Sequence, residues 1–373
     1  MKRFVLTISL LSILTAAFPA AAGKVYDFSG FESQLEAYLC RFHDPGAPCD
    51  PYNLRGDFSY QPGGRADLYG SIDMAYVLWT IDELDKRASP EGRAAWAAFI
   101  QQGQDPRTGW FNRGNETAHF REHATAYATG GLALLDARPL HPFAWSKRMT
   151  RSRAAHDLWL STTWWDVVWV GSHQGGGVAA SLEMTGSAPP EWWGWYFGWL
   201  DREVNPETGL WQRASYNVVY QKPTVNDLGG AAHFWWMYER KGRPMPYPRQ
   251  AIDSILSLQL PSGHWDDKRL DFPYCIDLDA IQGLNLAHAQ LAAAGDDYRA
   301  ADIVAALDRF LAYAAATLNP PGALEHLYRN SHDLPGALVA IAEADRCLQR
   351  ITGSTRLQTK KPWRSVLTKI CWL

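Results

Sequence analysis

The chain has 373 residues, 47% of them hydrophobic and 20% charged, with a formal net charge of -3. This balance supports a full core and excludes a disordered or fibrous chain, and the lack of a basic excess argues against nucleic acid as a partner. The unusual figure is 18 Trp, because indoles both fill cores and line sites that grip flat apolar faces, whether of sugar rings or of isoprenoids.

Lys2 and Arg3, the apolar run over residues 4–18 and Ala20, Ala21 and Ala22 ahead of Gly23 read as an export signal spanning residues 1–22. The run is short for a bilayer span, and no later stretch is apolar for long enough to cross one. The expectation is a secreted or periplasmic protein with no membrane partner once the signal is removed. An oxidising compartment makes the five cysteines candidates for disulfides. Cys40 and Cys49 flank a Pro-rich loop that a bridge could close, Cys347 and Cys371 form a weaker second pair, and Cys275 is left odd.

In chain order, residues 31–42 carry Phe31, Leu35, Tyr38, Leu39 and Phe42 at helical spacing, and a polar loop runs to Arg65. A mostly apolar helix is expected over 67–84, and a second one to Ile100 begins after Ser89-Pro90-Glu91. Further helices are expected over 123–135, 174–184, 190–203, 227–238, 249–258, 277–293, 298–317 and 333–348, with an aromatic-rich segment reaching Val170.

The turns that close successive pairs contain Gly109, Gly209 and Gly263, with a degenerate copy at Gly322, spaced by about 50 residues or twice that. Apolar helices thus alternate with amphipathic ones that need only one buried stripe. The fold expected is all-α, an α/α toroid of about six helical hairpins with inner and outer helix rings. It spans one domain over residues 23–352, and the basic tail 353–373 is placed outside the ring or across its face.

Gln259-Leu260-Pro261-Ser262-Gly263-His264-Trp265 and Gln104-Asp105-Pro106-Arg107-Thr108-Gly109-Trp110 resemble the Gln…Gly-x-Trp turns of the terpenoid cyclase and protein prenyltransferase superfamily. The resemblance implies the toroid. Similar toroids also carry secreted glycoside hydrolases and polysaccharide lyases, so the fold does not choose the chemistry.

The reactive residues are expected where inner helices begin: Asp67, Tyr69 and Asp73; Arg121, Glu122 and His123; Ser172, His173 and Gln174; Asn226 and Asp227; Tyr274, Cys275, Asp277 and Asp279; Asn330, His332 and Asp333. Asp67, Asp227 and Asp333 are also natural helix caps. His123, His173 and His332 at equivalent positions would converge on one cavity. Asp277 and Asp279 lie about 200° apart around a helix, though both can reach a cavity from its first turn. They resemble a reduced form of the Asp-x-Asp-Asp acid motif of class II terpenoid cyclases, with Ala280 where a further Asp belongs. The zinc ligands of protein prenyltransferases suggest a weaker alternative through Cys275, Asp277 and His332, but Pro273 stands where the family has Asp. No cofactor is otherwise implied.

Arg113, Arg213, Lys268, Arg269 and Arg329 follow the repeated turns and would surround the mouth with cations suited to carboxylates. Most of the indoles between Trp159 and Trp199 read as core, and Trp110, Trp211 and Trp265 as turn anchors. Trp164, Trp165, Trp169 and Trp235 remain stacking candidates.

These readings combine into a carbohydrate-active enzyme that binds an oligosaccharide or polysaccharide, or another small molecule, and works by hydrolysis or β-elimination, with a uronate-containing glycan as one substrate. Asp277 or Asp279 is the expected base or nucleophile, His123 or His332 the proton-transfer partner, and Tyr69 or Tyr274 an alternative acid. His173, Asp227, Arg113, Arg213, Arg269, Arg329, Trp169 and Trp235 are expected to bind substrate. An isoprenoid cyclase-like or transferase-like protein and a non-catalytic glycan-binding toroid are the alternatives.

Overall fold

The computed structural model describes residues 24–112, 119–163, 165–211, 222–266 and 270–373. Among them are fifteen α-helices and one two-stranded parallel sheet, so the chain is all-α. The helices are α1 (Ser29–Phe42), α2 (Leu68–Thr80), α3 (Leu84–Arg87), α4 (Pro90–Gln102), α5 (Arg121–Leu134), α6 (Lys147–Thr150), α7 (Arg153–Ser161), α8 (Val168–Thr185), α9 (Pro190–Glu203), α10 (Val225–Arg240), α11 (Pro248–Leu258), α12 (Cys275–Ala293), α13 (Ala300–Leu318), α14 (Ala323–Leu327) and α15 (Asp333–Thr352). Strands β1 (Tyr26–Asp27) and β2 (Leu357–Gln358) tie the two ends of the described chain together. No helix among the described residues is long and apolar enough to cross a membrane, and the expected export signal lies outside them.

The two expected kinds of helix are both present. From Tyr69 to Thr80 every residue of α2 is buried, whereas α13 buries only Ile303, Ala306, Leu307, Phe310, Leu311, Ala314 and Leu318, a single stripe at helical spacing. The all-round buried helices pack in sequence: α2 on α5, α5 on α8, α8 on α10, α10 on α12, α12 on α15, and α15 back on α2. Small residues permit such close contact. A Cβ on Gly177 of α8 would lie 2.7 Å from the backbone oxygen of Glu122 on α5, so the two helices could not keep this spacing with any other residue there.

The repeated turn has a physical basis. Gly109, Gly209 and Gly263 all take positive φ, at 83°, 70° and 104°. The Gln104 side-chain amide donates to Gly109 O and His141 O, and Gln259 donates to Gly263 O and Ala306 O, so each glutamine pins its own turn and the start or flank of the next hairpin. Trp211 and Trp265 are fully buried and donate to Leu200 O and Ile255 O, which makes them anchors as expected.

Several boundaries shift. Helix α8 begins six residues before the expected Gln174, at Val168, and its added first turn buries Val168 and brings Trp169 and Val170 to a cavity wall. The expected helix over 67–84 stops at Thr80. Helix α12 starts at Cys275 and not at Asp277, which puts Asp277 in its first turn.

Of the two placements expected for the tail, outside the helices or across their face, the first does not hold: Trp363 packs on Phe28 and Phe31, the Arg364 amide bonds Thr80 O at the end of α2, and the chain then runs to Trp372 among four of the buried helices. Trp372 is fully buried, stacks on His233 at 4.5 Å, meets His123 and His173 edge-on, and its carbonyl accepts from the Tyr76 hydroxyl at 2.9 Å. It therefore touches α2, α5, α8 and α10 together.

Cys40 and Cys49 are disulfide-bonded. The second expected bridge does not form: Cys347, on α15, and Cys371, whose thiol faces Ala180 O, are both buried and unbridged, as is the half-buried Cys275.

Candidate functional site

The N-terminal ends of α5, α8, α10, α12 and α15 surround a cavity of ≈ 410 Å³, within the usual range for a small-ligand site. Its wall carries His119, His123, Trp169, His173, Asn226, His233, Tyr274, Cys275, Asp279, His332 and Asp333, and Leu373 of the tail reaches it from the other side.

The imidazoles form one contiguous cluster. His119 stacks on His123 with ring centroids 4.3 Å apart and 9° between planes, His173 meets His123 at 4.6 Å, and His332 meets His119 at 4.9 Å. The cluster is held from behind. The Tyr69 hydroxyl lies 2.8 Å from His123 Nδ1, and Asp73 Oδ1 lies 2.8 Å from His332 Nδ1. Asp73 is fully buried and also accepts from the Tyr127 hydroxyl at 2.7 Å and from the Ser331 hydroxyl. A carboxylate can only accept, so His332 Nδ1 carries the proton and the ring turns its Nε2 away from Asp73. Ser172 makes the corresponding contact to His233 Nδ1 at 2.7 Å.

Burial and mutual repulsion favour the neutral form of His123, His173 and His233. His123 is held well below the ordinary imidazole range by desolvation and by its neighbours His119, His173, His332 and His233. Desolvation and His332 push His173 down to about 3, and its Nδ1 is buried without a hydrogen-bond partner.

Asp279 on the same wall is also unsatisfied. It is 1% exposed, neither carboxyl oxygen has a hydrogen-bond partner, and burial with a secondary contribution from Asp277 lifts its pKa well above the usual carboxylate range. Its surroundings thus favour the neutral acid over the carboxylate.

Asp277 does something different, which corrects its expected catalytic role. Its oxygens take His264 Nδ1 at 2.8 Å, the Trp265 amide at 3.2 Å and the Tyr274 amide at 3.1 Å, so it staples the Gly263 turn to the start of α12. The expected zinc set of Cys275, Asp277 and His332 fails for the same reason. Cys275 and His332 line the cavity, but Asp277 is committed to the turn.

Other expectations divide in the same way. Tyr69 is fully buried and acts through His123 without lining the cavity. Tyr274 lines the cavity with its ring, but its hydroxyl donates to Asp266 Oδ2 at 2.6 Å. Asp227 closes a capping box with Thr224, and its neighbour Asn226 takes the place in the wall. Trp235 is buried at 0% exposure against Gly283 and is core, whereas Trp169 and Trp236 line the cavity. Trp165 stacks on Trp199 and Phe234. Trp164, Arg113, Arg213 and Arg269 lie outside the described residues. Arg329 is exposed in a separate cleft with Arg41, Glu325 and His326, not at this mouth.

A different set of cations is present. Arg121, Arg148 and Arg151, with Trp159, line a second cleft of ≈ 370 Å³ that also includes Glu122 and Gln174, the sequence neighbours of His123 and His173. Arg121 is 3.6 Å from Glu122.

The sequence reading missed His119, His233 and the role of Asp73. His119 stands four residues before His123, but it lies on the loop ahead of α5, so helical spacing does not account for their meeting. His233 lies in the third turn of α10, away from the helix ends that drew attention.

The chain matches no protein-family model, no curated protein and no solved structure.

Proposed function

We propose that the protein is an exported carbohydrate-active enzyme, an α/α toroid that cleaves a glycan in the histidine-lined cavity with Asp279 as the proton donor. The closed succession of packed helices supports the toroid, and the Cys40–Cys49 bridge supports an oxidising compartment.

The observation that carries the reading is Asp279, an unpartnered acid held neutral by burial on a cavity wall. Cleavage of a glycosidic bond requires a proton for the departing oxygen, and a carboxyl with a raised pKa is the usual source. His173, with one nitrogen unpartnered, faces the same cavity as a hydrogen-bonding group for the ligand, and Trp169 offers an indole face to a sugar ring. An isoprenoid chain would leave Asp279 and these imidazoles desolvated without partners, so the cavity favours a polar ligand.

Elimination on a uronate is the second reading, favoured by the Arg121, Arg148 and Arg151 cleft, whose guanidinium groups suit an acidic glycan. The two differ in their products. Neutral and acidic oligosaccharides are incubated with the protein, and reducing ends are measured beside the ultraviolet absorbance of unsaturated uronates. Reducing ends without absorbance indicate hydrolysis, and absorbance indicates elimination. Asp279→Asn should lower either rate by about 100-fold or more. Absence of turnover on every glycan, or wild-type turnover by Asp279→Asn, overturns the proposal.

A further inference from the structure

We propose that His119, His123 and His332 form a binding site for one divalent transition-metal ion, with zinc the best match to the ligand set. The inference does not rest on the glycan reading, because it concerns what the imidazoles can hold and not what the cavity cleaves.

The geometry is the first support. One ligand nitrogen from each of the three rings lies within 4.8 Å of the other two. Zinc bonded to imidazoles at about 2.0–2.1 Å in a tetrahedral site holds its nitrogens roughly 3.4 Å apart, a contraction within reach of small side-chain rotations. His119 stands ahead of α5 on a loop and His332 just ahead of α15, so two of the three are not constrained by helix interiors.

The support behind the rings is independent of their proximity. Histidines that bind metals use one nitrogen for the ion and give the other N–H to a carboxylate or another acceptor, which sets the tautomer and aims the ring. His332 has this arrangement, with its Nδ1 on Asp73, and Asp73 is itself held by Tyr127 and Ser331. His123 has its Nδ1 on the Tyr69 hydroxyl. The Asp73 contact aims His332 Nε2 away from the carboxylate, and His123 keeps Nε2 for a ligand when its Nδ1–H donates to the Tyr69 oxygen.

The chemistry of the donors selects the ion. Three neutral nitrogens suit zinc, copper, nickel or cobalt and are a poor set for calcium or magnesium, which prefer oxygen. Three protein ligands also leave a coordination position, and the cavity that His119, His123 and His332 line is the one that Asp279 lines. A bound water or a substrate oxygen would complete the sphere.

The test uses untagged mature protein stripped with a chelator and reloaded with Zn²⁺ or Co²⁺. Expected are one equivalent of retained metal by elemental analysis, a visible Co²⁺ spectrum of tetrahedral type, and at least 100-fold weaker Zn²⁺ affinity in His119→Ala by competition with a chromogenic chelator. His119 is the ligand to substitute first, because it is half-buried on a loop and its loss leaves the helix packing in place. Asp73→Asn should weaken binding by about 10- to 100-fold and shift the Co²⁺ bands, with Asp73→Glu restoring part of both. A purely structural role of Asp73 would leave the bands of the folded variant unchanged. Fewer than about 0.1 equivalents in the wild-type protein, or equal affinity in folded His119→Ala, overturns the proposal. Because these readouts need no turnover, they can fail or succeed separately from the glycan assays.

Discussion

The Asp73 carboxylate lies 2.8 Å from Nδ1 of His332, a residue 259 positions further along the chain. The contact joins α2 to the entrance of α15 and closes the succession of six buried helices at the point where the cavity forms. Asp73 also satisfies Tyr127 and Ser331, so it is the shared acceptor of three donors from α5, the loop before α15 and His332 itself. Asp73→Ala should cost about 3 kcal/mol of stability, because it leaves those buried donors without an acceptor. Denaturant titration of wild type and variant measures the difference; a change below about 0.5 kcal/mol contradicts the network.

Asp277 and Asp279 are two residues apart and should respond in opposite ways. Asp277→Ala removes the acceptor of two backbone amides and His264, and should destabilise the fold by about 3 kcal/mol. Asp279→Asn loses no internal hydrogen bond, so stability at acid pH, where the wild-type side chain is neutral folded and unfolded, should change by less than about 1 kcal/mol while turnover falls. Parallel melts and activity assays check the contrast.

The pH dependence follows from the sign of the Asp279 shift. Its pKa is raised on folding from the ordinary aspartate value of 3.8, so the folded state binds more protons than the unfolded state between 3.8 and the raised value. The stability associated with the neutral acid is fully present below the unfolded pKa and is lost as pH rises through the folded one. Asp279→Asn should therefore gain stability relative to wild type as pH increases, and the alkaline limb of the wild-type rate profile should report the same ionisation. Urea melts from acid to alkaline pH test this; a difference between the two proteins that is flat with pH refutes it.

The cysteines should separate into three behaviours. Cys40 and Cys49 are bridged across nine residues of sequence, and Cys40→Ser with Cys49→Ser should cost about 2–3 kcal/mol. Cys347 and Cys371 are buried, and desolvation pushes both thiols up to about 12, so they should resist thiol reagents until the protein unfolds. Cys275 is half-buried on the cavity wall and should label first. Mass mapping after a timed thiol pulse distinguishes these outcomes.

Trp372→Ala removes a fully buried indole that touches four of the six buried helices. A loss of about 3–5 kcal/mol is expected, as for other large-to-small changes at full burial. Ligand affinity in the cavity should fall with it, because His233 and His173 lose the surface they pack on. Calorimetry of the variant checks stability and binding together.

Much of the architecture was legible because it depends on short-range chemistry. The glutamine-to-glycine turns, the apolar runs of the buried helices, the single stripe of α13 and the Cys40–Cys49 pair all act over a few residues or one helical period, so composition and spacing reveal them. The helix entrances also led correctly to His123, His173 and His332 as residues on one cavity, since equivalent positions in repeated hairpins must face the same way. Rotation about a helix axis and closure over hundreds of residues leave no such local trace. Only the folded chain turns Asp277 back to His264 while Asp279 faces the cavity, brings Asp73 under His332, adds His119 to the cluster and threads Trp372 among the helices. Those relationships are decided by packing, where a rotation of a fraction of a turn determines whether a carboxyl finds an amide or remains an unpartnered acid.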